Sequence, residues 1–440
     1  LNLKTTMSTD LNRREFLANT AKTCFGVTLG GTMAQLFTTP AFAADKSVLA
    51  SGGGKAKHVI YLYMSGGMTH LDTFDPKPQA GSAIHGDKKA INTKADGIQL
   101  SEHLPNLARH ADKLAIIRSM NTTQGAHGPG RYFMRTGYTP RSSITHPSAG
   151  GWVNKLTKPL NDTIPGFVTI SCGNGHPGAG FFEPSLQPLP IGDALSGLQN
   201  ATIPKNTTES EFHQQLNLRE KLDHDFDQKF APGHKDVRAY TEMYNAAVKL
   251  MRSEDLAAFD LSKESPTVHK LYGPSKFAKG CLLARRLVEK GVRFVEVELG
   301  GFDWHNDNFG QAAEKLPMVD QAFAALLEDL QVKGLLDSTL IVLATEFGRT
   351  PKLTPEGGRN HFPKAFSCIM AGGGTKGGYV HGETDATGST VIKDKVSAPD
   401  FNASIGHALG IPYDQVIHSA SKRPFKMASR DGKPILDLFG

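Results

Sequence analysis

The sequence contains few cysteines, few tryptophans and no long apolar run beyond its first 43 residues. Four of its 440 residues are cysteine and two are tryptophan. Cys172, Cys281 and Cys368 follow residue 43 at spacings unlike those of a zinc module, so we expect at most one disulfide and mostly buried thiols. The apolar runs fall short of the roughly 20 residues that cross a bilayer, which argues against a stable membrane span.

The chain also lacks a strong charge of either sign. It has 49 Lys and Arg residues against 43 Asp and Glu residues, and its formal net charge is +6. This excess is mild for the length, so it gives weak support for an anionic ligand and argues against nucleic acid as a partner.

The first 43 residues have the order of elements of a twin-arginine export signal. NRREFL occupies residues 12–17, a modest apolar stretch covers residues 24–37, and AFA at residues 41–43 offers a small-x-small cleavage site. A short amphipathic helix would not explain this order. We therefore predict cleavage after Ala43, the twin-arginine machinery as export partner, and a periplasmic or secreted protein. Residues 44–57 follow as a flexible linker.

Apolar runs alternate with helical patterns along the rest of the chain. The runs suit buried parallel strands, and Pro274 and Gly291 illustrate the helix start and stop signals. The predicted strands are 58–64, 167–171, 292–299, 339–345 and 366–371, and the predicted helices are 274–290, 311–333 and 400–409. This alternation predicts one α/β domain over residues 58–440, with a mostly parallel central sheet and helices on both faces. We expect an insertion near 172–240, shaping a lid or substrate mouth, with an exposed helix over 214–229.

Residues 127–140, HGPGRYFMRTGYTP, are the most informative segment. Pro and Gly before Arg131 form a turn into a helix, and a helix start presents unpaired N–H groups and partial positive charge to an anionic ester. Arg131 adds a planar fork of donors that suits sulfate or phosphate oxygens. The alternative is a plain loop turn with a solvated or ion-paired Arg131. The role of His127 stays open between metal ligand, proton carrier, covalent adduct and structural residue.

Four polar segments follow apolar runs, and they cover residues 66–75, 301–307, 345–350 and 358–363. Because ligands in α/β folds gather beyond the carboxyl ends of strands, these segments predict a shared site for a divalent metal. The candidate ligands are His70, Asp72, Asp303, His305, Glu346 and His361. Histidine combined with carboxylate favours zinc or manganese, while calcium and magnesium stay open. Each residue alone also fits a structural role, such as an ion pair of Glu346 with Arg349 or Arg359.

Residues 127–140 resemble the sulfatase signature C-x-P-x-R-x-x-x-x-T-G-x-x-P, with His127 at the position of the nucleophilic cysteine. The ordered set GGMTHLDTFDPKP, GFDWHNDN, TEFGRTP, GRNHFP and GGGTKGGYVHGETD is similar to the twin-arginine-exported DUF1501 family, which is placed with sulfatase-like and alkaline-phosphatase-like hydrolases. The resemblance implies an alkaline phosphatase/sulfatase-like fold. It places Arg131 on the anion, and His127 or Thr69 near the reacting centre.

Two functions compete on these residues. The first is a metal-dependent hydrolase of a sulfate or phosphate ester, acting on an anionic small molecule or polysaccharide, with metal-activated water as the nucleophile. The second is a non-catalytic periplasmic binding or assembly protein, because His127 replaces the nucleophile and Ser65-Gly66 replace the Asp-Asp of sulfatases. A nucleotide site at Gly372-Gly373-Gly374 is disfavoured, since the triplet lacks the Lys-Ser/Thr of a phosphate loop.

Overall fold

The structure is a computed structural model that describes residues 54–86, 88–204, 206–230 and 235–440. The predicted export signal and its cleavage site after Ala43 lie outside these residues. Contacts divide the described chain into a larger unit, residues 54–197 and 253–440, and a smaller unit, residues 198–252. The smaller unit overlaps the insertion expected near 172–240, although it begins and ends later in the chain.

An eight-stranded sheet organises the larger unit. In chain order, the strands are β1 (His58–Met64), β2 (Ala90–Asn92), β3 (Gln99–Ser101), β4 (Leu114–Met120), β5 (Phe167–Ile170), β6 (Leu189–Ile191), β7 (Phe294–Leu299), β8 (Thr339–Ala344), β9 (Gly348–Arg349), β10 (His361–Phe362), β11 (Phe366–Ala371), β12 (Tyr379–His381), β13 (Glu383–Thr384), β14 (Val391–Lys393), β15 (Ile417–His418) and β16 (Pro424–Phe425). The main sheet has the order β12-β4-β11-β8-β1-β7-β5-β6. Of its eight strands, β11 alone runs antiparallel to its neighbours. The predicted α/β fold with a mostly parallel sheet is therefore confirmed.

Strand β1 lies in the interior of the sheet, between β7 and β8. All seven of its residues are buried, as its continuous apolar sequence requires of a strand that is covered on both faces. Met64 pairs with Leu299 of β7, and Tyr63 pairs with Ala344 of β8. The carboxyl ends of the three strands therefore lie side by side, and the loops that follow them meet at one edge of the sheet.

Helices pack on both faces of this sheet, as predicted. In the larger unit they are Ser82–His85, Pro105–Arg109, His127–Thr136, Ala149–Leu156, Pro266–Tyr272, Lys276–Glu289, Asn308–Val332 and Ala398–Ala408. Gly280 packs against Val297 of β7, and Gly150 packs against Phe294 of the same strand. Because residues 294 and 297 point to opposite sides of a strand, the helices that carry the two glycines lie on opposite faces.

The smaller unit contains two helices, Glu209–Phe230 and Lys235–Met251. The residue range of the first helix includes residues 214–229, for which an exposed helix was predicted. The Arg219 guanidinium lies 3.3 Å from the ring centroid of Tyr244, which joins the two helices by a cation–π contact. Among the described residues, no helix is both long and apolar enough to cross a membrane.

Candidate metal centre

Three histidines and one aspartate converge beyond the carboxyl ends of β1, β7 and β8. His127 begins a helix, Asp303 and His305 follow β7, and His361 opens β10. The Nε2 atoms of His361 and His305 lie 3.1 and 2.9 Å from Asp303 Oδ1 and 3.2 Å from each other. Nε2 of His127 lies 3.1 Å from the other carboxylate oxygen, Oδ2. Four of the predicted site residues are thus brought together.

The sequence Phe-Asp-Trp-His after β7 presents the aspartate and one histidine outward. Phe302 and Trp304 are buried, and Trp304 Nε1 donates a hydrogen bond to the Gly301 carbonyl at 2.9 Å. Because these two aromatic residues turn inward, the side chains of Asp303 and His305 stay 45% and 48% exposed. This loop passes so close to the end of β1 that a Cβ on Gly66 would lie 2.6 Å from the Phe302 nitrogen.

Each imidazole has an oxygen acceptor at its Nδ1 atom. His127 Nδ1 is 2.8 Å from Glu346 Oε1, His305 Nδ1 is 3.2 Å from Asn360 Oδ1, and His361 Nδ1 is 2.9 Å from the Gly125 carbonyl oxygen. A neutral ring that donates to this oxygen through Nδ1 keeps a lone pair on Nε2, which is the tautomer that can bind a metal. In that tautomer, the three Nε2 lone pairs all face the Asp303 carboxylate.

This donor set fits a divalent metal ion. In this tautomer the Nε2 atoms of His305 and His361, 3.2 Å apart, cannot hydrogen-bond to each other, and Nε2 of His127 cannot donate to the Asp303 oxygen 3.1 Å away. Ligand atoms at the zinc–nitrogen distance of about 2.0–2.1 Å in a tetrahedron lie roughly 3.3 Å apart. The separations of 2.9–3.2 Å between these atoms are close to that value.

Buried Arg349 holds Asp303 from the protein side. Its guanidinium donates to Asp303 Oδ1 at 2.6 Å, to the Gly67 carbonyl at 2.9 Å and to the Arg359 carbonyl at 3.0 Å, and it also donates to the Gly66 carbonyl. Partial burial favours the protonated carboxyl, but the hydrogen bond and charge of Arg349, with His361 and His127, hold the pKa of Asp303 well below its usual range. Asp303 is therefore ionised, so its carboxylate brings a negative charge to the three imidazoles.

Glu346 supports His127 from behind. Its carboxylate is fully buried and also accepts hydrogen bonds from the Gly66 N–H at 2.9 Å and from the Tyr63 hydroxyl at 3.3 Å. The hydrogen bond to Glu346 raises the pKa of His127 against the opposing effect of burial, and the charges of Glu346 and Asp303 add to the rise. Glu346 was predicted as a metal ligand, but its carboxylate contacts Nδ1 of His127 and does not lie among the Nε2 atoms.

Arg131 lies one helical turn after His127. Its Nε donates to the His127 carbonyl at 3.3 Å and its Nη1 donates to Ser65 Oγ at 3.4 Å. The helix starts after extended Ala126 without a side-chain cap. Its first N–H groups and Arg131 therefore lie beside the imidazole cluster, where an anionic group can bind.

The structure does not bring Thr69, His70 and Asp72 into this cluster, which corrects their predicted roles. Asp72 accepts hydrogen bonds from Thr69 Oγ1 at 2.9 Å, from Asn308 Nδ2 at 2.9 Å and from Arg359 Nε at 3.0 Å. His70 is buried with Nε2 2.9 Å from the Gly388 carbonyl oxygen. All three residues hold the loop after β1 in place, and the lone pairs of Asp72 are already occupied.

Two of the acceptors that orient the imidazoles were not identified from the sequence. Gly125 contributes a backbone carbonyl oxygen, and a backbone contact cannot be predicted from the type of residue. Asn360 was available as the neighbour of His361, but its partner is His305. An ion pair of Glu346 with Arg349 was the structural alternative for Glu346, whereas the Arg349 guanidinium binds Asp303.

The chain is similar to several solved structures at low sequence identity. For lipoteichoic acid synthase LtaP from Listeria monocytogenes, the identity is 12% and the TM-score 0.37, and the match covers 83% of this chain and 76% of that one. For the PsFucS1 sulfatase from Pseudoalteromonas sp., the values are 13%, 0.36, 87% and 76%. For the zinc complex of the C-terminal periplasmic domain of EcEptC from Escherichia coli, they are 12%, 0.38, 89% and 98%.

No curated protein matches the chain. The family described as "Protein of unknown function (DUF1501)" matches residues 56–439, which is most of the sequence. The chain therefore belongs to the DUF1501 family.

Proposed function

We propose that this protein is a metal-dependent hydrolase of a sulfate or phosphate ester, with zinc as the favoured ion. The observation that carries the proposal is the convergence of three Nε2 lone pairs on the Asp303 carboxylate beside an uncapped helix start. Three imidazoles and one carboxylate suit zinc better than calcium or magnesium, which prefer oxygen ligands. Manganese remains the second choice.

The residues of the chain divide the work between the ion and the substrate. His127, His361 and Asp303 would hold the ion. His305, whose Nε2 lies 3.2 Å from that of His361, would complete the ligand set. When bound, such an ion supplies Lewis acidity and lowers the pKa of water to about 7. Arg131 and the first N–H groups of the helix would bind the sulfate or phosphate oxygens. This arrangement would place the anionic ester against the ion.

Water is the attacking group in this proposal. His127 stands at the cysteine position of the sulfatase signature, but its Nδ1 is engaged by Glu346 and its Nε2 lone pair would bind the ion. Thr69 is buried, and its hydroxyl donates to Asp72. Neither side chain is therefore free to attack an ester.

Metal analysis and activity on a substrate panel test the proposal together. Protein loaded with zinc or manganese and then desalted should retain about one ion per chain. It should hydrolyse at least one member of a panel of aryl sulfates, phosphates and phosphodiesters. His305→Ala should lose both properties, while Asn306→Ala, a change at the neighbouring exposed residue, should keep both. Untagged wild-type protein that binds no metal would refute the proposal.

A second candidate is a binding or assembly protein that uses the centre without turnover. It is favoured by the same contacts that leave His127 and Thr69 without a free nucleophilic atom. Stoichiometric metal with no hydrolysis on the whole panel would support it over the hydrolase. Both candidates include export through the twin-arginine segment at residues 12–17, which fractionation of the producing cells checks.

A further inference from the structure

We propose that Glu346 and Asn360 are positioning residues that set the metal affinity of the centre through the charge of the acceptor they offer to an imidazole. The buried carboxylate of Glu346 makes His127 a strong ligand, whereas the neutral amide of Asn360 leaves His305 a weaker one. The inference rests on the proposed function only in that an ion binds at this centre.

The groups that contact the Glu346 carboxylate make it a hydrogen-bond acceptor. Its Oε1 lies 2.8 Å from His127 Nδ1 and 2.9 Å from the Gly66 nitrogen, and its Oε2 accepts from the Tyr63 hydroxyl at 3.3 Å. The carboxylate is fully buried, so its charge is poorly screened by water. These donors fix the orientation of the carboxylate. The carboxylate in turn orients the His127 ring with Nε2 toward Asp303.

Asn360 offers His305 the same contact without the charge. Its Oδ1 lies 3.2 Å from His305 Nδ1, and its backbone N–H donates to Thr350 Oγ1 at 3.0 Å. Asn360 is exposed and directly precedes β10. His361 resembles His305, because its Nδ1 also contacts a neutral oxygen, the carbonyl of Gly125 at 2.9 Å. The centre therefore has one imidazole backed by an anion and two backed by neutral oxygens.

The charge of the acceptor controls how strongly a ring donates electrons to a metal. A carboxylate at Nδ1 draws the proton toward itself and raises the basicity of Nε2, and loss of such a partner typically weakens metal affinity by about 10–100-fold. A neutral oxygen fixes the same tautomer with less effect on basicity. Exchanging carboxylate and amide at the two positions should therefore shift affinity in opposite directions.

The test uses two isosteric substitutions of opposite sign. The zinc dissociation constant is measured by competition with a chelating dye for wild type, Glu346→Gln and Asn360→Asp. We expect Glu346→Gln to raise the constant by roughly 10–100-fold and Asn360→Asp to lower it by about tenfold, the lower end of the same range. Thermal unfolding of the metal-free variants separates lost affinity from lost folding.

Asn306→Asp is the control for charge alone. Asn306 is exposed next to His305, and its Oδ1 accepts from Gln311 Nε2 at 3.2 Å without touching an imidazole. Its added charge is screened by solvent, so it should change the constant far less than Asn360→Asp does. An equal change in the two variants would show that charge alone acts and would overturn the inference.

The outcomes separate this inference from the proposed function. Wild-type protein that binds no zinc overturns both. Wild type that binds zinc, with Glu346→Gln and Asn360→Asp both unchanged, overturns the positioning roles and leaves the proposed function standing. If Glu346→Gln does not fold, Asn360→Asp decides the matter, because it replaces an exposed side chain.

Discussion

Asp72 and Asp303 both follow strands of the central sheet, yet their neighbours give them different roles. Asp72 is buried and accepts hydrogen bonds from Arg359, Asn308 and Thr69. Asp303 is half exposed, and it receives Arg349 on one oxygen and faces three imidazoles. A carboxylate whose lone pairs are filled by protein donors holds the fold, whereas one facing bare lone pairs attracts a cation.

Asp72→Asn should destabilise the protein without removing its metal site. The substitution leaves the buried Arg359 guanidinium without its counter-charge, and breaking a buried ion pair of this kind costs about 3–5 kcal/mol. Denaturant unfolding of metal-free protein measures this loss. Asp414→Asn, at an exposed position, should stay within about 0.5 kcal/mol of wild type. Loss of stoichiometric zinc from folded Asp72→Asn protein would contradict the structural role.

The sequence predicted residue types better than residue partners at the centre. Asp303, His305 and His361 were identified because they follow apolar runs, and His127 because of its segment. Asp72 was assigned to the metal because nothing in its local sequence shows that Arg359, 287 residues away, is its partner. Pairings between residues so far apart depend on how the strands are ordered, which a single sequence does not encode locally.

The glycines within and directly after the helix His127–Thr136 serve different purposes. Gly130 faces the end of β8, where a Cβ would lie 3.1 Å from Glu346 Cβ and 3.3 Å from Phe347 Cδ1. Gly137 ends the helix in the left-handed conformation, at φ 74°. Gly128 has open space where a Cβ would be. The first glycine allows close packing, the second ends the helix, and the third is free of steric demands.

Alanine at positions 128 and 130 should change stability in opposite directions. Gly128→Ala should stabilise the protein by up to about 1 kcal/mol, because alanine is the better helix former. Gly130→Ala should destabilise it by about 1–3 kcal/mol, because the new methyl group crowds Glu346 and Phe347. Urea unfolding of metal-free protein gives both values. Equal stabilisation by the two substitutions would show that the helix is not packed against β8 as described.

At the scale of elements, the strands with continuous apolar sequence were predicted within two residues of their observed ends. Strand β4 was not predicted, although its sequence begins with four apolar residues. Arg118 interrupts its apolar pattern, and the partner that makes this charge tolerable is Asp75, at 3.4 Å. The antiparallel direction of β11 was also not predicted, because the direction of a strand depends on its connections and neighbouring strands and not on residue type.

At the scale of the whole molecule, the centre depends on chain segments that are far apart in sequence. Its four candidate ligands come from positions 127, 303, 305 and 361, and all of them lie in the larger unit. They meet only when β1, β7 and β8 are aligned and the loops after them close over the sheet edge. Metal affinity therefore reports correct folding of that unit. Conditions that loosen its packing should lower both the metal affinity and the free energy of unfolding.

Acid should loosen this packing through His146. His146 is buried, its ring stacks on Tyr138 with centroids 4.4 Å apart, and its Nδ1 accepts a hydrogen bond from the Tyr132 hydroxyl at 2.7 Å. Burial, followed by the charge of Arg141, lowers the pKa of His146 from 6.5 to about 4. The unfolded chain therefore binds this proton more readily than the folded protein.

The stabilising contribution of neutral His146 is complete above pH 6.5 and is lost as the pH falls toward 4. The loss should be on the order of 2–3 kcal/mol between pH 7 and pH 4.5. His146→Gln, which keeps a side-chain acceptor for Tyr132, should reduce the drop in unfolding free energy over this range by that amount. The protein is freed of metal with a chelator beforehand, so that metal release does not contribute to the measured drop in unfolding free energy. His418→Gln, at an exposed position, should leave the drop unchanged, and an equal drop in wild type and His146→Gln would exclude His146 as the acid-sensitive group.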